Sequence, residues 1–181
     1  MVSSDEGAPM DTQPLADLER PAPSFDRLFV DEYRAMVALA AAVSGDRSVA
    51  EDLAQEAFSR LSQRWDQVSG YERPGAWLRR VVINLALSRR RRLLSEARAR
   101  IRLRNRPPPT LPSPPSDHAD LWAAVAELPA QQRAVVALHY LDDLPLTEIA
   151  AILDISPSTA RVHLHRARTA LRDRLDPEDA P

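Results

Sequence analysis

The densest chemical feature of the sequence is a run of arginines near its middle. Residues 79–106 hold eleven arginines against one acid, Glu96, which leaves a local net charge of +10, although the formal net charge of the whole chain is −2. A field of one sign is typical of a surface that binds a polyanion, whereas a merely solvated helix usually mixes both signs. A second basic stretch, residues 161–174, holds five arginines against Asp173. Together the two stretches favour nucleic acid as a partner.

The residue types that the sequence lacks exclude most enzyme and cofactor classes. All 24 basic residues are arginine, so Schiff-base chemistry and the lysine-bearing phosphate loop are excluded. The absence of cysteine excludes thiolate nucleophiles and thiolate zinc sites, and four glycines are too few for a dinucleotide-binding turn. His163 and His165 are two residues apart, which on a helix points them to nearly opposite sides. We therefore predict no catalytic residue, no metal and no cofactor.

Four polar residues share one face of the helix that is predicted to open at Pro74 and to run through the first basic stretch. Arg80, Asn84, Ser88 and Arg91 recur at spacings of four, four and three. A neutral amide flanked by guanidinium groups suits a surface that contacts phosphates and reads a base edge. A surface amide with no partner is an equally compatible reading of Asn84.

An acidic helix is predicted after Gly45. The run Ser48 to Glu51 has the pattern of a capping box, and an apolar stripe continues from it through Trp65. The opposite face is polar and half of its residues are acids, which is typical of a docking surface but also of an ordinary solvated face with acids near a helix N-terminus. Its members are Glu51, Asp52, Gln55, Glu56, Ser59 and Gln63.

Residues 145–161 have the pattern of two short helices joined by a tight turn. Residues 156–157 supply a good N-cap and a first-turn proline. The second helix then points Arg161, His165 and Arg166 outward, where they can contact bases or phosphates in a major groove. A generic helical hairpin shares this pattern, and the basic outward face favours DNA binding. The apolar positions that would lock the two helices together are Ile149, Leu153, Ile155, Ala160 and Leu164.

These elements define an all-α chain of two small helical domains. The segment 105–116 holds six prolines, which favour an extended, semi-rigid linker because proline lacks the backbone N–H. No apolar run is long enough to cross a membrane, so a cytoplasmic location is expected. The predicted units are a disordered acidic tail at 1–23, a helical domain at 24–96, a basic and Pro-rich linker at 97–116, a helical domain at 117–175 and a tail at 176–181.

The stretch GDRSVAEDLAQEAF at residues 45–58 is similar to the GD..AEDL.QE.F signature of region 2 in bacterial RNA polymerase sigma factors of the extracytoplasmic-function (ECF) type. The resemblance covers nearly all of residues 25–175. It implies that Asp52, Gln55 and Glu56 dock on the clamp helices of the largest polymerase subunit. Core RNA polymerase is therefore an expected partner.

Two further stretches extend the resemblance. Residues 74–86 are similar to the P.AWL.R...N.A element, which implies that the non-template strand of the minus-ten element is held there. Residues 128–171 resemble region 4, the reader of the minus-thirty-five duplex. The implied minus-ten contacts are Tyr71, Arg80, Asn84 and Arg91, and the implied minus-thirty-five contacts are Ser158, Thr159, Arg161, Val162, His165 and Arg166.

The helix-turn-helix departs from the family pattern at four positions. Ser158 and Ala160 stand where Gly and Val are usual, and Asp154 occupies a turn position that is often Gly. Asp tolerates the left-handed conformation better than most residues, so the turn is expected to form. Val162 stands where a small polar residue is usual, which favours contact with a thymine methyl group.

The resemblance implies a transcription initiation factor that binds core polymerase, recognises both promoter elements and promotes opening. Promoter DNA, as duplex and as single strand, and an anti-sigma factor are the other expected partners. A stand-alone helix-turn-helix regulator is the main alternative, but it would usually bring a dimerisation surface or a sensor domain. A scaffold that binds protein through the acidic helix would leave both basic helices unexplained.

Overall fold

A computed structural model describes residues 24–104 and 119–175, and in residues 97–104 and 119 it describes the backbone alone. Within these ranges the chain forms α-helices and one short 3₁₀ turn, with no β-strand, which confirms the all-α class. Both predicted tails and the Pro-rich segment 105–116 lie outside the described residues. The helices are α1 (Phe25–Ser44), α2 (Ala50–Gln63), α3 (Trp65–Val68), α4 (Pro74–Arg104), α5 (Ala119–Glu127), α6 (Ala130–Tyr140), α7 (Leu146–Leu153) and α8 (Pro157–Leu175).

Helices α1 to α4 form a first bundle, in which α1 packs on α2 and α4. The Ser24 hydroxyl accepts the Arg27 N–H at 3.2 Å and caps α1 at its start, as the sequence predicts. Gly45 ends the helix with a φ of 74°, in the left-handed region that glycine adopts without strain. The core of the bundle is fully buried and apolar. Its largest members are Met36, Leu39, Leu61, Leu78, Val82 and Ile83.

The start of α2 differs from the predicted capping box. A 3₁₀ turn at Arg47–Val49 precedes the helix, and no side chain caps Ala50. The Asp46 carboxylate accepts both the N–H of Ser48 at 3.0 Å and its hydroxyl at 2.7 Å. The Ser48 hydroxyl therefore acts as a donor to Asp46, and the capping-box prediction is wrong. The predicted stripe also breaks, because Trp65 starts the separate helix α3.

Helix α4 begins at Pro74, as predicted, and continues to Arg104. Residues 97–104 are predicted as part of the linker, but in the structure their backbone is helical and the prediction is wrong for this segment. Alanine, arginine and leucine are strong helix formers, so nothing in this stretch breaks the helix before the prolines at 107–109. An extended linker therefore remains a prediction for residues 105–116 alone.

Helices α5 to α8 form a second bundle, which contains the predicted helix-turn-helix of α7 and α8. Asp154 lies between the two helices with a φ of 58° and a ψ of 48°, so the left-handed turn forms without a glycine. The Ser156 hydroxyl accepts the N–H of Thr159 at 3.1 Å and caps α8. The side chains of Ile149 and Leu164 are buried between the helices, as the spacing predicts.

We expect Ser156→Ala to lower the free energy of unfolding by about 1 kcal/mol, because the substitution removes the side-chain acceptor of an N-cap. Urea denaturation followed by circular dichroism measures the change. Ser95→Ala, at an exposed position inside α4, is the matched control. It should be neutral or slightly stabilising, because alanine is the better helix former. Equal losses in both variants would contradict the capping role.

The two bundles pack directly against each other. Helix α1 of the first bundle contacts α5 and α6 of the second, and α4 contacts α7. The buried apolar side chains form one continuous cluster that joins Leu39 of α1 to Leu138 of α6 and Ile149 of α7. Over the described residues, the two bundles therefore share one apolar core.

Candidate functional site

The acidic face of α2 is exposed because the opposite face supplies the core. Ala54, Ala57 and Leu61 are buried at spacings of three and four, which turns Asp52, Gln55, Glu56 and Ser59 toward solvent. The Glu56 carboxylate accepts from the Arg60 Nε at 2.9 Å, so part of its charge is neutralised within the helix. The i, i+4 spacing of Glu56 and Arg60 could have revealed this pair in the sequence. The three predicted docking residues lie together on one open surface.

The predicted minus-ten residues lie on the surface of the first bundle. Arg80, Asn84 and Arg91 are exposed along α4, on the side away from the buried Leu78 and Val82. The Arg91 guanidinium donates to the Ser88 hydroxyl at 3.2 Å, which links two of the predicted residues of this face. Tyr71 is also exposed, in the turn that precedes Pro74, and its N–H donates to the Val68 carbonyl at 3.0 Å. These exposed groups can contact phosphates and unstacked bases.

Arg79, for which the sequence predicts no role in a site, lies between two carboxylates. Its Nη2 donates to Glu32 at 2.8 Å and its Nε donates to Asp142 at 2.7 Å. The side chains of Arg79 and Asp142 are 14% and 2% exposed. Burial acts to lower the pKa of Arg79, but Asp142 and Glu32 outweigh it and the pKa rises. Burial raises the pKa of Asp142, and Arg79 offsets only part of this rise.

The predicted minus-thirty-five residues line the outer side of α8. Arg161, His165 and Arg166 are exposed, as are Ser158 and Val162, the latter by 46%. This surface presents cationic groups around a central apolar one, which suits a groove that carries phosphates and thymine methyl groups.

Two residues of α8 differ from the others in their surroundings. Thr159 is half-buried and its hydroxyl lies 2.7 Å from the Ser156 hydroxyl, so it is engaged in the helix cap. His163 is half-buried on the inner side of α8 and points away from His165, as the spacing predicts. Thr159 is therefore less available to DNA than its neighbours on the outer side.

The basic surface of α8 continues beyond the predicted residues. Arg168 donates through Nε to the Tyr140 hydroxyl at 2.7 Å and lies over its ring at 5.6 Å. No sequence pattern links Arg168 to Tyr140, because the two residues lie on different helices. The spacing of three from His165 to Arg168 indicates only that Arg168 extends the outer side of α8.

Neither a metal centre nor a membrane span is present in the part of the chain that the structure describes. No group of three or more potential ligand side chains from His, Asp and Glu comes together there. None of the helices there is both long enough and apolar enough to cross a bilayer.

Comparisons with known proteins agree with this geometry. Residues 28–95 match the family described as Sigma-70 region 2, and residues 118–171 match Sigma-70, region 4. The RNA polymerase sigma-E factor of Streptomyces antibioticus is 34% identical over 134 residues, which cover 72% of each protein. The ECF RNA polymerase sigma factor SigW of Bacillus subtilis is 30% identical over 72% of this chain and 78% of its own.

The chain belongs to the RNA polymerase sigma factors, and among them to the ECF group. This confirms the resemblance that the motifs carry. The ECF RNA polymerase sigma factor SigE of Mycolicibacterium smegmatis is 36% identical over 84% of this chain, but the match spans only 62% of that relative. A solved structure of the sigma factor RpoE in complex with the anti-sigma factor NepR from Bartonella quintana shares the fold, with a TM-score of 0.63, 23% identity and coverage of 83% of this chain and 96% of that one.

Proposed function

We propose that the chain directs core RNA polymerase to promoters through three surfaces with separate tasks. The acidic face of α2, with Asp52, Gln55 and Glu56, docks on the clamp helices of the largest polymerase subunit. The outer side of α8 binds the minus-thirty-five duplex. The exposed face of α4 and Tyr71 hold the unpaired minus-ten strand.

The observation that carries this proposal is the distribution of charge over the two bundles. The exposed acids of α2 and the exposed cations of α4 and α8 lie on different helices, so one chain can bind a protein and DNA at the same time. The polymerase surface that binds the acidic face must be basic, because opposite charges attract across an interface. The phosphates of promoter DNA bind the exposed arginines of α4 and α8 for the same reason.

The chemistry of the two DNA-binding surfaces explains why one binds duplex and the other binds a single strand. Helix α8 is the second helix of the helix-turn-helix, and in this motif the second helix lies in the major groove of an intact duplex. Bases can stack or enter pockets on α4 and Tyr71 only after they unpair, which costs a few kcal/mol per flipped base. Binding energy on α4 therefore favours the open promoter over the closed one.

A stand-alone regulator would need only the second bundle. The family matches in both bundles and the exposed acidic face of α2 favour the sigma factor over this alternative. We further propose that the chain acts as an initiation factor rather than an enzyme and works in the cytoplasm. An anti-sigma factor is a proposed additional partner.

Reconstituted transcription tests the proposed function. The purified chain is combined with sigma-free core polymerase and fragmented genomic DNA, and transcript starts are mapped by sequencing. Discrete starts that share upstream elements at about minus ten and minus thirty-five support the proposal. If the chain fails to bind core polymerase and yields no starts while still binding duplex DNA, the regulator alternative replaces it.

We expect Asn84→Ala to reduce promoter opening about tenfold while it leaves initial duplex binding unchanged. The amide contacts a base that is available only after melting, and one lost contact of this kind costs about 1–3 kcal/mol. Permanganate reactivity of unpaired thymines measures opening on a promoter mapped by the transcription experiment. Gln131→Ala removes an exposed amide from α6 and is the matched control. An unchanged permanganate footprint with Asn84→Ala would reject the assignment of Asn84.

A further inference from the structure

Three polar side chains form one hydrogen-bonded unit on the surface of the second bundle, where the end of α6 lies beside the middle of α8. The Arg168 Nε donates to the Tyr140 hydroxyl at 2.7 Å, and the guanidinium carbon lies 5.6 Å from the centre of the Tyr140 ring. The Arg168 Nη2 lies 3.4 Å from the Nε2 of His139. The rings of His139 and Tyr140 meet edge to face, with their centres 4.9 Å apart. Together the three side chains form the Tyr140 unit.

The direction of each hydrogen bond in the Tyr140 unit follows from the donors that are available. The carbonyl oxygen of Leu144 lies 3.2 Å from the Nδ1 of His139 and can only accept, so Nδ1 carries the hydrogen. The Nε2 of this ring is then an acceptor for Arg168. The Tyr140 oxygen also accepts from Arg168, so its own hydrogen points away from the guanidinium. Because Tyr140 is 57% exposed, its O–H can donate to an acceptor outside the protein.

The Tyr140 unit holds a guanidinium without neutralising its charge. In the part of the chain that the structure describes, Arg168 bonds to a phenol and an imidazole rather than to a carboxylate. Arg174 of the same helix, by contrast, pairs with Glu127 at 3.2 Å. The Arg168 N–H groups that are not used in the unit, together with the Tyr140 O–H, are donors for an external acceptor. A phosphate oxygen suits this combination of donors and positive charge.

Arg168 belongs to a row of basic side chains along one side of α8. Their spacings of four, three and four residues place them one above the other, and all of them are exposed. The row is about 16 Å long, which is enough to follow several phosphates of one DNA strand. Its members are Arg161, His165, Arg168 and Arg172.

The position of Arg168 along α8 favours the DNA backbone over the bases. In a helix-turn-helix, the N-terminal residues of the second helix contact base edges. Arg168 comes eleven residues after Pro157, the first residue of α8, which is about 16 Å along the helix axis. The major groove is only about 12 Å wide, so a helix that enters it with its N-terminal end reaches a phosphate strand before this point.

A tie between α6 and α8 is the alternative role of the Tyr140 unit. The two helices already pack against each other, and Leu138 of α6 and Leu164 of α8 are buried in the same apolar cluster. An exposed polar contact adds little to the stability of such a packing. A tie also gives no reason for the hydroxyl edge of Tyr140 to remain exposed.

We propose that the Tyr140 unit is a phosphate clamp that holds the DNA backbone at the edge of the minus-thirty-five element. Tyr140 and Arg168 contact one phosphate, and His139 is a positioning residue that orients Arg168. The contact fixes the register of α8 on the duplex, which phosphate contacts do without reading sequence themselves. The inference rests on the proposed function, because it assumes that α8 lies in the major groove of that element.

Two conservative variants test the clamp in the complex of the full chain with core polymerase. Tyr140→Phe keeps the ring beside Arg168 and removes only the hydroxyl, whereas Arg168→Lys keeps the charge and removes the planar fork. Each should weaken binding to a mapped promoter fragment about fivefold, because each removes a hydrogen bond to a charged group. Anisotropy of dye-labelled DNA measures the binding. Tyr33→Phe and Arg34→Lys on α1 are the matched controls and should stay within about twofold of the wild type.

A scan of single phosphates locates the contact. Promoter duplexes carry one neutral methylphosphonate in place of one phosphate, at each position in and beside the minus-thirty-five element in turn. At one position the neutral group should weaken binding of the wild type about fivefold and leave binding of Tyr140→Phe unchanged, because that variant has already lost the contact. His139→Gln keeps an acceptor for Arg168 and should show the wild-type pattern, whereas His139→Ala should not.

The outcomes separate the clamp from the proposed function. If no methylphosphonate position distinguishes the wild type from Tyr140→Phe, the clamp is overturned. A loss of stability in urea without a loss of promoter binding assigns the Tyr140 unit to the tie between α6 and α8, which also overturns the clamp. The wild type alone tests the proposed function: if its complex with core polymerase does not prefer the promoter to a scrambled duplex, the proposed function fails. Preferential binding by the wild type with unaffected variants rejects only the clamp.

Discussion

Reversal of two charges on the acidic face of α2 is expected to weaken binding to core polymerase by at least about a hundredfold. The double variant Asp52→Arg and Glu56→Arg removes two attractive contacts and sets two cations against a basic surface, and like charges at an interface cost several kcal/mol. Both side chains are exposed and none of the buried core of α2 changes. Co-elution and fluorescence anisotropy with sigma-free core polymerase measure the loss.

The control for this experiment reverses two exposed acids of the second bundle. Glu127→Arg and Asp173→Arg lie in the last turns of α5 and α8, where a cation is compatible with the helix dipole. Core binding of the control should stay within about twofold of the wild type, a loss small enough to lie within the usual effect of surface substitutions. Equal loss in both variants would point to net charge rather than to a docking face, and the assignment of Asp52 and Glu56 would fail.

The second large effect is expected from the outer side of α8. Arg161→Ala combined with Arg166→Ala should weaken binding to a minus-thirty-five duplex about a hundredfold, because contacts of this kind contribute about 1–3 kcal/mol each. If both guanidinium groups contact phosphates, the slope of log affinity against log salt should also become shallower by about 2. Anisotropy titrations at several salt concentrations measure both quantities.

The same titrations distinguish base contacts from phosphate contacts. If an arginine contacts a base, its replacement by alanine reduces the discrimination between the cognate duplex and a scrambled one. If it contacts a phosphate, the replacement lowers the affinity for both duplexes. Arg27→Ala and Arg34→Ala on α1 remove the same charge from the exposed surface of the first bundle and serve as the control. A salt slope that falls as much in the control as in the α8 variant would contradict the proposed role of α8.

The local features of the fold were predictable because they depend on neighbours within one helical turn. Ser24, Gly45 and Ser156 mark helix ends through bonds to backbone groups three or four residues away. The exposure of Asp52 and of Asn84 likewise follows from helical periodicity, since the apolar residues of the same helix face inward. The family motifs of the ECF sigma factors lie in these helices, which is why the resemblance was already clear in the sequence.

The start of α2 shows where local rules conflict. Ser48 and Asp46 are both good capping residues, and two acceptors within three positions compete for the same N–H groups. In the structure Asp46 accepts from Ser48 and produces a 3₁₀ turn. The sequence pattern alone does not show which of Ser48 and Asp46 acts as the capping acceptor, because either side chain can accept from similar backbone N–H groups.

The packing of the two bundles against each other could not be predicted from sequence patterns. Arg79 bonds to residues 47 and 63 positions away, and Arg80 to one 74 positions away. In the sequence these arginines are two members of a basic run, and nothing in their spacing selects a partner. The partners are set by how two apolar faces pack, and packing sums many small contacts from the whole chain. Helix ends, exposed faces and the family were thus readable from short-range chemistry, whereas the pairing of Arg79 and Arg80 with the second bundle required the folded chain.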